Sequence, residues 1–547
     1  VAMHIEVVPN RNSKPAVLLR ESYREDGKVK KRTFANISDW PQDKIDALRR
    51  VLRGEKLVSV DDLFQTVSSA KHGHVKAVML AMEKLGFGKL IASRPSRERD
   101  LVVAMVASRI LAPSSKLATQ RTWKDTTLPQ MLNLDGVCED DLYAAMDWLL
   151  ERQDKTEKKL AARHLKEGGL VLYDLSSSYF EGSKCPLAKL GHSRDGVKGK
   201  PQVNYGLLTD ARGCPVSVSV FDGNVGDPKT LLPAVDKVRG RFGIHELVLV
   251  GDRGMISQRQ IDALEKMDGV AWITALKTGA IRKLVNDECI QLGLFDERNL
   301  FECEHLDFPG ERLVACRNPE LAKLRAHKRQ SLLDATTKLL EKVRGMAGKG
   351  KLKNADAIGV RVGKVVNKYK VAKHFVLDIG EGTFSFHIDD ESVKSEATLD
   401  GIYVVRTSVP KASMSEDDAV RSYKLLAQIE RAFRSIKSIT LKVRPIFHHD
   451  ENRVRAHIFL CMLAYYIEWH MREALRPLLF ADEDQDAKAT RDPVAPAKRS
   501  AAALAKIATK TTTDGLQAHS FRTLLDHLSA LVRNQCSKRD ESSTATA

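Results

Sequence analysis

Two short apolar runs constrain this chain more than any other feature. Leu170-Val171-Leu172-Tyr173 ends in Asp174, and Leu247-Val248-Leu249-Val250 ends in Gly251-Asp252. Each is a short, continuous apolar run, as an interior strand is. Between them, Val203–Thr209 and Pro215–Phe221 flank the turn Asp210-Ala211-Arg212-Gly213, which predicts a hairpin, and Leu232–Arg239 predicts a helix. A helix around Gln258–Met267 and a strand, Val270–Leu276, follow the second run. Strand, hairpin, helix, strand, helix, strand is the order of a mixed α/β sheet. Strand ends in such sheets open onto the crevice where ligands bind, which makes Asp174 and Asp252 candidate functional groups. An aspartate after a strand is more often a turn or N-cap residue, so neither decides the matter alone.

A third carboxylate comes from helical periodicity. On one helix over Asp417–Lys437, Leu425, Ile429, Ala432 and Ile436 share a core stripe, and Tyr423, Glu430, Arg434 and Lys437 share the opposite one. A solvated face with cations near the helix C-terminus has the same pattern. Chemistry connects the three acids. Phosphodiester cleavage needs an activated nucleophile, a stabilised leaving oxygen and shielding of transition-state charge, all of which a pair of divalent ions supplies. Mg²⁺ takes hard oxygen ligands and keeps several waters, so a few carboxylates suffice, and Arg and Lys are left for phosphates.

The rest of the chain divides by pattern. Residues 1–60 are a small β/α segment with a basic turn, Lys28-Val29-Lys30-Lys31-Arg32; 61–165 are mostly helical. Gly86-Phe87-Gly88 between helices is a weak helix-turn-helix signal. Residues 166–277 and 401–480 form two parts of the α/β domain, 278–400 an insertion of a charged helix and β-strands, and 481–547 a linker (481–499) and a terminal helix, Ser520–Arg533. Lys plus Arg number 88 against 71 Asp plus Glu, a surplus of 17 that favours a polyanion: nucleic acid first, a membrane surface second. The most apolar runs, Leu101–Ala112 and Ile458–Trp469, are too short or too polar to span a bilayer, and the N-terminus lacks a signal-peptide pattern, so a cytoplasmic protein without a membrane partner is expected. Eight Cys are scattered without a CxxC pair, which argues for free thiols and against a structural zinc of that spacing. His448-His449 reads as a turn, and Tyr465, Tyr466 and Trp469 as core.

With these residues in place, the chain resembles the DDE transposases of bacterial insertion sequences, in the group with a Tyr-Arg-Glu-Lys signature. Tyr423, Glu430 and Lys437 stand at the signature's spacings, and Leu426 occupies its Arg position. Asp174, Gly251-Asp252-Arg253-Gly254, Phe221-Asp222-Gly223-Asn224, Arg444-Pro445-Ile446 and Arg455–Phe459 are similar to segments of the same group. The resemblance implies an RNase H-like sheet with helices on both faces, interrupted by a β-rich insertion. It implies that Asp174, Asp252 and Glu430 hold two Mg²⁺ or Mn²⁺ ions, Asp174 between them. Hydrolysis at the transposon end then frees a 3′-hydroxyl, which attacks target DNA. Tyr423, Arg434 and Lys437 are expected on DNA phosphates, with Arg253 and Arg444 as further candidates and Arg434 standing in for the missing signature Arg. Residues 1–165 are expected to bind the terminal inverted repeats, helped by Lys351–Lys373, in a homodimer that synapses two ends at the nucleoid. The alternatives are a metal-dependent nuclease of the same fold without strand transfer, and a non-catalytic DNA-binding derivative.

Overall fold

The computed structural model describes residues 2–11, 13–55, 57, 64–296, 298–485, 491–495 and 498–538. It has two compact units, Val1–Ala70 with Val532–Ala547, and Lys71–Leu531. Part of the expected linker at 481–499 lies outside the described residues.

In the smaller unit, β1 (Ala2–Val8), β2 (Ala16–Glu25) and β3 (Lys28–Asn36) form an antiparallel sheet in that order, followed by the helix Gln42–Leu52. The basic segment Lys28–Arg32 is not the turn that its composition suggests. The turn is Asp26-Gly27, whose φ angles of 52° and 75° are what a tight hairpin reversal requires, and Lys28 already begins β3. β3 is exposed along its whole length. β4 (Phe64–Lys71) pairs with the C-terminal strand Val532–Lys538, so the helix expected over Ser520–Arg533 stops at Ser529.

The larger unit is organised by one mixed sheet. β5 (Gly169–Tyr179), β6 (Gln202–Asp210) and β7 (Pro215–Asp222) form an antiparallel meander. β8 (Leu247–Val250) and β9 (Val270–Ala275) lie parallel to β5, after the crossover helices Pro228–Asp236 and Gln258–Leu264. The run β9-β8-β5-β6-β7 is the mixed sheet expected of an RNase H-like domain. Strand alternation sorts its side chains: Leu172, Val250 and Ile273 pack with Ala419 and Val420, whereas Val171, Tyr173, Leu249 and Trp272 join the core of the N-terminal helices and the long helix Glu451–Ala474.

The sheet does not stop at residue 277. β10 (Leu300–Cys303) and β11 (Arg312–Arg317), inside the segment 278–400 that composition sets apart, extend it past β9 together with the strand Ile402–Thr407. What stands apart begins at Pro319. Asn318 caps the helix Pro319–Gly348 by accepting from Leu321 N at 3.0 Å. That helix, Ala355–Tyr369 and a small hairpin share a core of their own, with Leu340, Val362 and Phe375 in it.

The N-terminal helices are built into the main core. Leu101–Leu111 is buried throughout, and Val75, Val106 and Leu149 belong to the same cluster as Tyr173 and Phe459. The helix after Gly86 is only Phe87–Ile91, with Phe87, Leu90 and Ile91 buried, so it cannot serve as a recognition helix. Among the described residues no single helix is long and apolar enough to cross a membrane. The pair Arg97–Leu111 and Lys116–Asp125 passes on length and composition, but bends by 88°.

Candidate active site

Pairing register brings the first two acids together. The parallel ladder between β5 and β8 ends at Leu172 opposite Val250. Asp174 and Asp252 each lie two residues beyond that last pair, Asp174 still within β5 and Asp252 just past the end of β8. β5 does not end at Asp174 as expected. It runs on to Tyr179 because β6 keeps pairing with it, Asp174 standing opposite Leu207. Asp174 is therefore a mid-strand residue whose β8 side has fallen open. Its Oδ1 accepts from Leu175 N at 2.8 Å. Asp252 starts a turn in which its carbonyl accepts from Met255 N at 2.9 Å. Its carboxylate is exposed.

The third acid arrives on a helix that breaks. The single helix expected over Asp417–Lys437 is two, Glu416–Lys424 and Leu426–Arg434, followed by a wide π-type turn, Ser435–Ile439. Tyr423, just before the break, donates its hydroxyl to Asp252 Oδ1 at 3.2 Å. Glu430, beyond the break, is exposed and close enough to act on the Tyr423 hydroxyl. Burial first, then Asp252 and Glu430, hold that phenol well above its ordinary range. Leu426, at the place of the signature Arg, is half-buried against the core, so no cation stands there.

The wide turn changes what happens next. It adds about one residue per turn and rotates Lys437 off the stripe shared by Glu430 and Arg434. Lys437 is buried, and its ammonium donates to Asp195 Oδ1 at 2.9 Å. Arg444 meets the same oxygen at 2.6 Å, while Asp195 Oδ2 accepts from Tyr179 N at 3.0 Å. Burial depresses the Lys437 ammonium and Asp195 partly restores it. Arg434 stays exposed.

Residues 170–467, more than half of the chain, match the family model for the transposase DDE domain. The chain belongs to that family. It is a DNA transposase, an enzyme that cuts DNA and transfers its strands. Residues 5–61 match a second model, the IS1634 family transposase N-terminal domain. No curated protein matches. Among solved structures, the transposase is similar to a piggyBac transposase synaptic complex with hairpin DNA. The identity is 9% and the TM-score 0.36, over 83% of this chain and 76% of that one, too slight a likeness to carry any argument.

The transposase's carboxylates suit hard divalent cations. Burial pushes the Asp174 carboxyl up to about 7; the Leu175 N–H opposes this, Asp252 and Asp227 add to it and Arg194 counters it. Asp174, Asp252 and Glu430 form no ion pair among the described residues. The donors are all oxygen, and a cation would offset the burial and the weaker Asp252 repulsion that raise Asp174. The ligand atoms of the three acids do not all lie within 4.8 Å of one another. Beside Asp252 opens a cavity of about 270 Å³ lined by Arg253, Tyr423, Thr278, Arg325 and Tyr403 among others.

Asp195, Arg194 and Asp227 were not among the sequence candidates. Arg194 pairs with Asp227, and both act on Asp174. The one signal for any of them is Asp227-Pro228, an acid before a helix-starting proline.

Proposed function

We propose that Asp174, Asp252 and Glu430 are the transposase's catalytic carboxylates, and that they hold Mg²⁺ or Mn²⁺ for cleavage at transposon ends and transfer of the freed 3′-hydroxyl into target DNA. The observation that carries this reading is the pairing register, which sets Asp174 beside Asp252, together with the Tyr423 hydroxyl that ties Asp252 to the segment bearing Glu430. When bound, the cations supply positive charge to the nucleophile and the leaving oxygen. Asp174, Asp252 and Glu430 would hold the cations through their carboxylate oxygens. Tyr423 fixes the rotamer of Asp252. Arg253 and Arg434, both exposed, hold phosphates next to the cut. Lys437 and Arg444, converging on Asp195, brace the wall behind them and add field to the same surface. Residues 1–165 and the basic segment 351–373 engage the terminal inverted repeats. Two copies are needed to hold two ends, which makes a homodimer on DNA the working species.

The test is incubation of the full chain with labelled DNA carrying the element's own ends, in Mg²⁺ and in Mn²⁺. Wild type should give nicked and joined products. Asp252→Asn and Glu430→Gln should bind the ends and give neither product. Cutting by Glu430→Gln at the wild-type rate overturns the assignment.

A further inference from the structure

A second cluster of ligand-type side chains lies away from the carboxylates. His164 ends the helix Gln153–His164, Cys214 follows the β6–β7 turn, and His470 is in the helix Glu451–Ala474. Their ligand atoms all lie within 4.8 Å of one another, the one His, Cys, Asp or Glu trio among the described residues that does so. Cys214 Sγ is 3.9 Å from His164 Nε2 and 3.9 Å from His470 Nε2. Tetrahedral zinc, with Zn–S about 2.3 Å and Zn–N about 2.0–2.1 Å, sets sulfur and nitrogen about 3.5 Å apart. A few tenths of an ångström of contraction closes the gap. We propose that His164, Cys214 and His470 bind one Zn²⁺ in a site distinct from the catalytic carboxylates.

The surroundings are those of a metal site. Cys214 is fully buried, and the His164 side chain is 7% exposed. Asp210 Oδ2 stands 3.9 Å from His164 Nδ1, the far ring nitrogen, where a carboxylate orients a zinc-bound imidazole. Asp210 Oδ1 also accepts from Cys214 N at 2.9 Å, which fixes the thiol's backbone. Zinc binds the thiolate, so binding releases the Cys214 proton to solvent. Arg212 donates to His164 Nδ1 at 3.3 Å. Zinc on Nε2 puts a proton on Nδ1, and Arg212, mostly exposed, then keeps only its bonds to Asp210 at 2.8 and 3.0 Å. One sulfur and two imidazoles select Zn²⁺ over Mg²⁺ and leave a fourth position for water. The clamp reaches the catalytic helix. Gly213, next to Cys214, lies so close to Gln428 that a Cβ there would sit 2.7 Å from it. Glu468, two residues before His470, accepts from Ser435 in the turn after Glu430's helix at 2.8 Å.

The experiment is metal analysis and cobalt spectroscopy on the full-length protein. After zinc-supplemented expression and dialysis, wild type and Asp252→Asn should each retain about one zinc per chain, and Cys214→Ser and His470→Ala should lose it. Exchange into Co²⁺ should give wild type the intense visible bands of a tetrahedral site and a thiolate-to-cobalt charge-transfer band. Cys214→Ser should lack the latter. Wild type without zinc and without these bands overturns the proposal, whether or not the variants fold. So does zinc retained undiminished in Cys214→Ser.

Discussion

Asp174→Asn isolates the cost of holding a carboxylate in a partly buried site beside other carboxyls. The amide keeps an oxygen for Leu175 N–H and loses only the charge. A carboxyl moved from 3.8 to about 7 carries up to about 4 kcal/mol at alkaline pH. Water still reaches this half-buried group, which reduces the working figure to about 2 kcal/mol. The sign follows from proton binding. Between about pH 4 and 7 the folded state holds a proton that the unfolded state has lost, so wild-type stability falls as pH rises through that window and stays low above it. In EDTA at pH 8 the Asn variant should therefore unfold at a temperature a few degrees above wild type, with the gap about halved at pH 5.5. Saturating Mg²⁺ should reverse the order, since a cation at one hundred times its Kd adds about 2.7 kcal/mol to the wild type alone. Differential calorimetry with and without Mg²⁺ measures both. A variant less stable than wild type in EDTA, or one that gains as much from Mg²⁺, refutes the reasoning.

Further outcomes follow from the same geometry. Asp195→Ala strips the counter-charge from buried Lys437 and from Arg444 and should cost about 3–5 kcal/mol in urea unfolding, where a loss below about 1 kcal/mol contradicts the pairing. Tyr423→Phe deletes the hydrogen bond to Asp252, worth about 1 kcal/mol, and should slow end cleavage about fivefold with unchanged end affinity. Lys28→Ala with Arg32→Ala on exposed β3 should weaken DNA binding and lower the slope of log K against log salt by about 1 per side chain, as a salt titration would read. An unchanged slope would move the DNA contact elsewhere.

The strands carrying Asp174 and Asp252 were legible because interior strands are short, continuous apolar runs, and the hairpin because its turn chemistry is local. The extension of the sheet by β10 and β11 was not, since pairing with a strand near residue 404 is a nonlocal choice. The Glu430 face was half legible. Its core stripe, Ile429, Ala432 and Ile436, is buried as periodicity requires, but periodicity runs straight through the break at Leu425 and cannot foresee a wide turn that swings Lys437 inward. Asp195 had no signal, because its value lies in two cations more than two hundred residues away. The His164, Cys214 and His470 trio is scattered by separations of 50 and 256 residues, which no spacing motif contains.

The central claim is that Asp174, Asp252 and Glu430 surround shared divalent cations. Iron-directed cleavage of the protein backbone tests it most directly: the DNA-bound transposase is loaded with Fe²⁺ in place of Mg²⁺, treated with ascorbate and peroxide, and its fragments are mapped. Scission near residues 174, 252 and 430 together, suppressed by excess Mg²⁺, is the predicted result. Scission near 174 and 252 with none near 430 would contradict it.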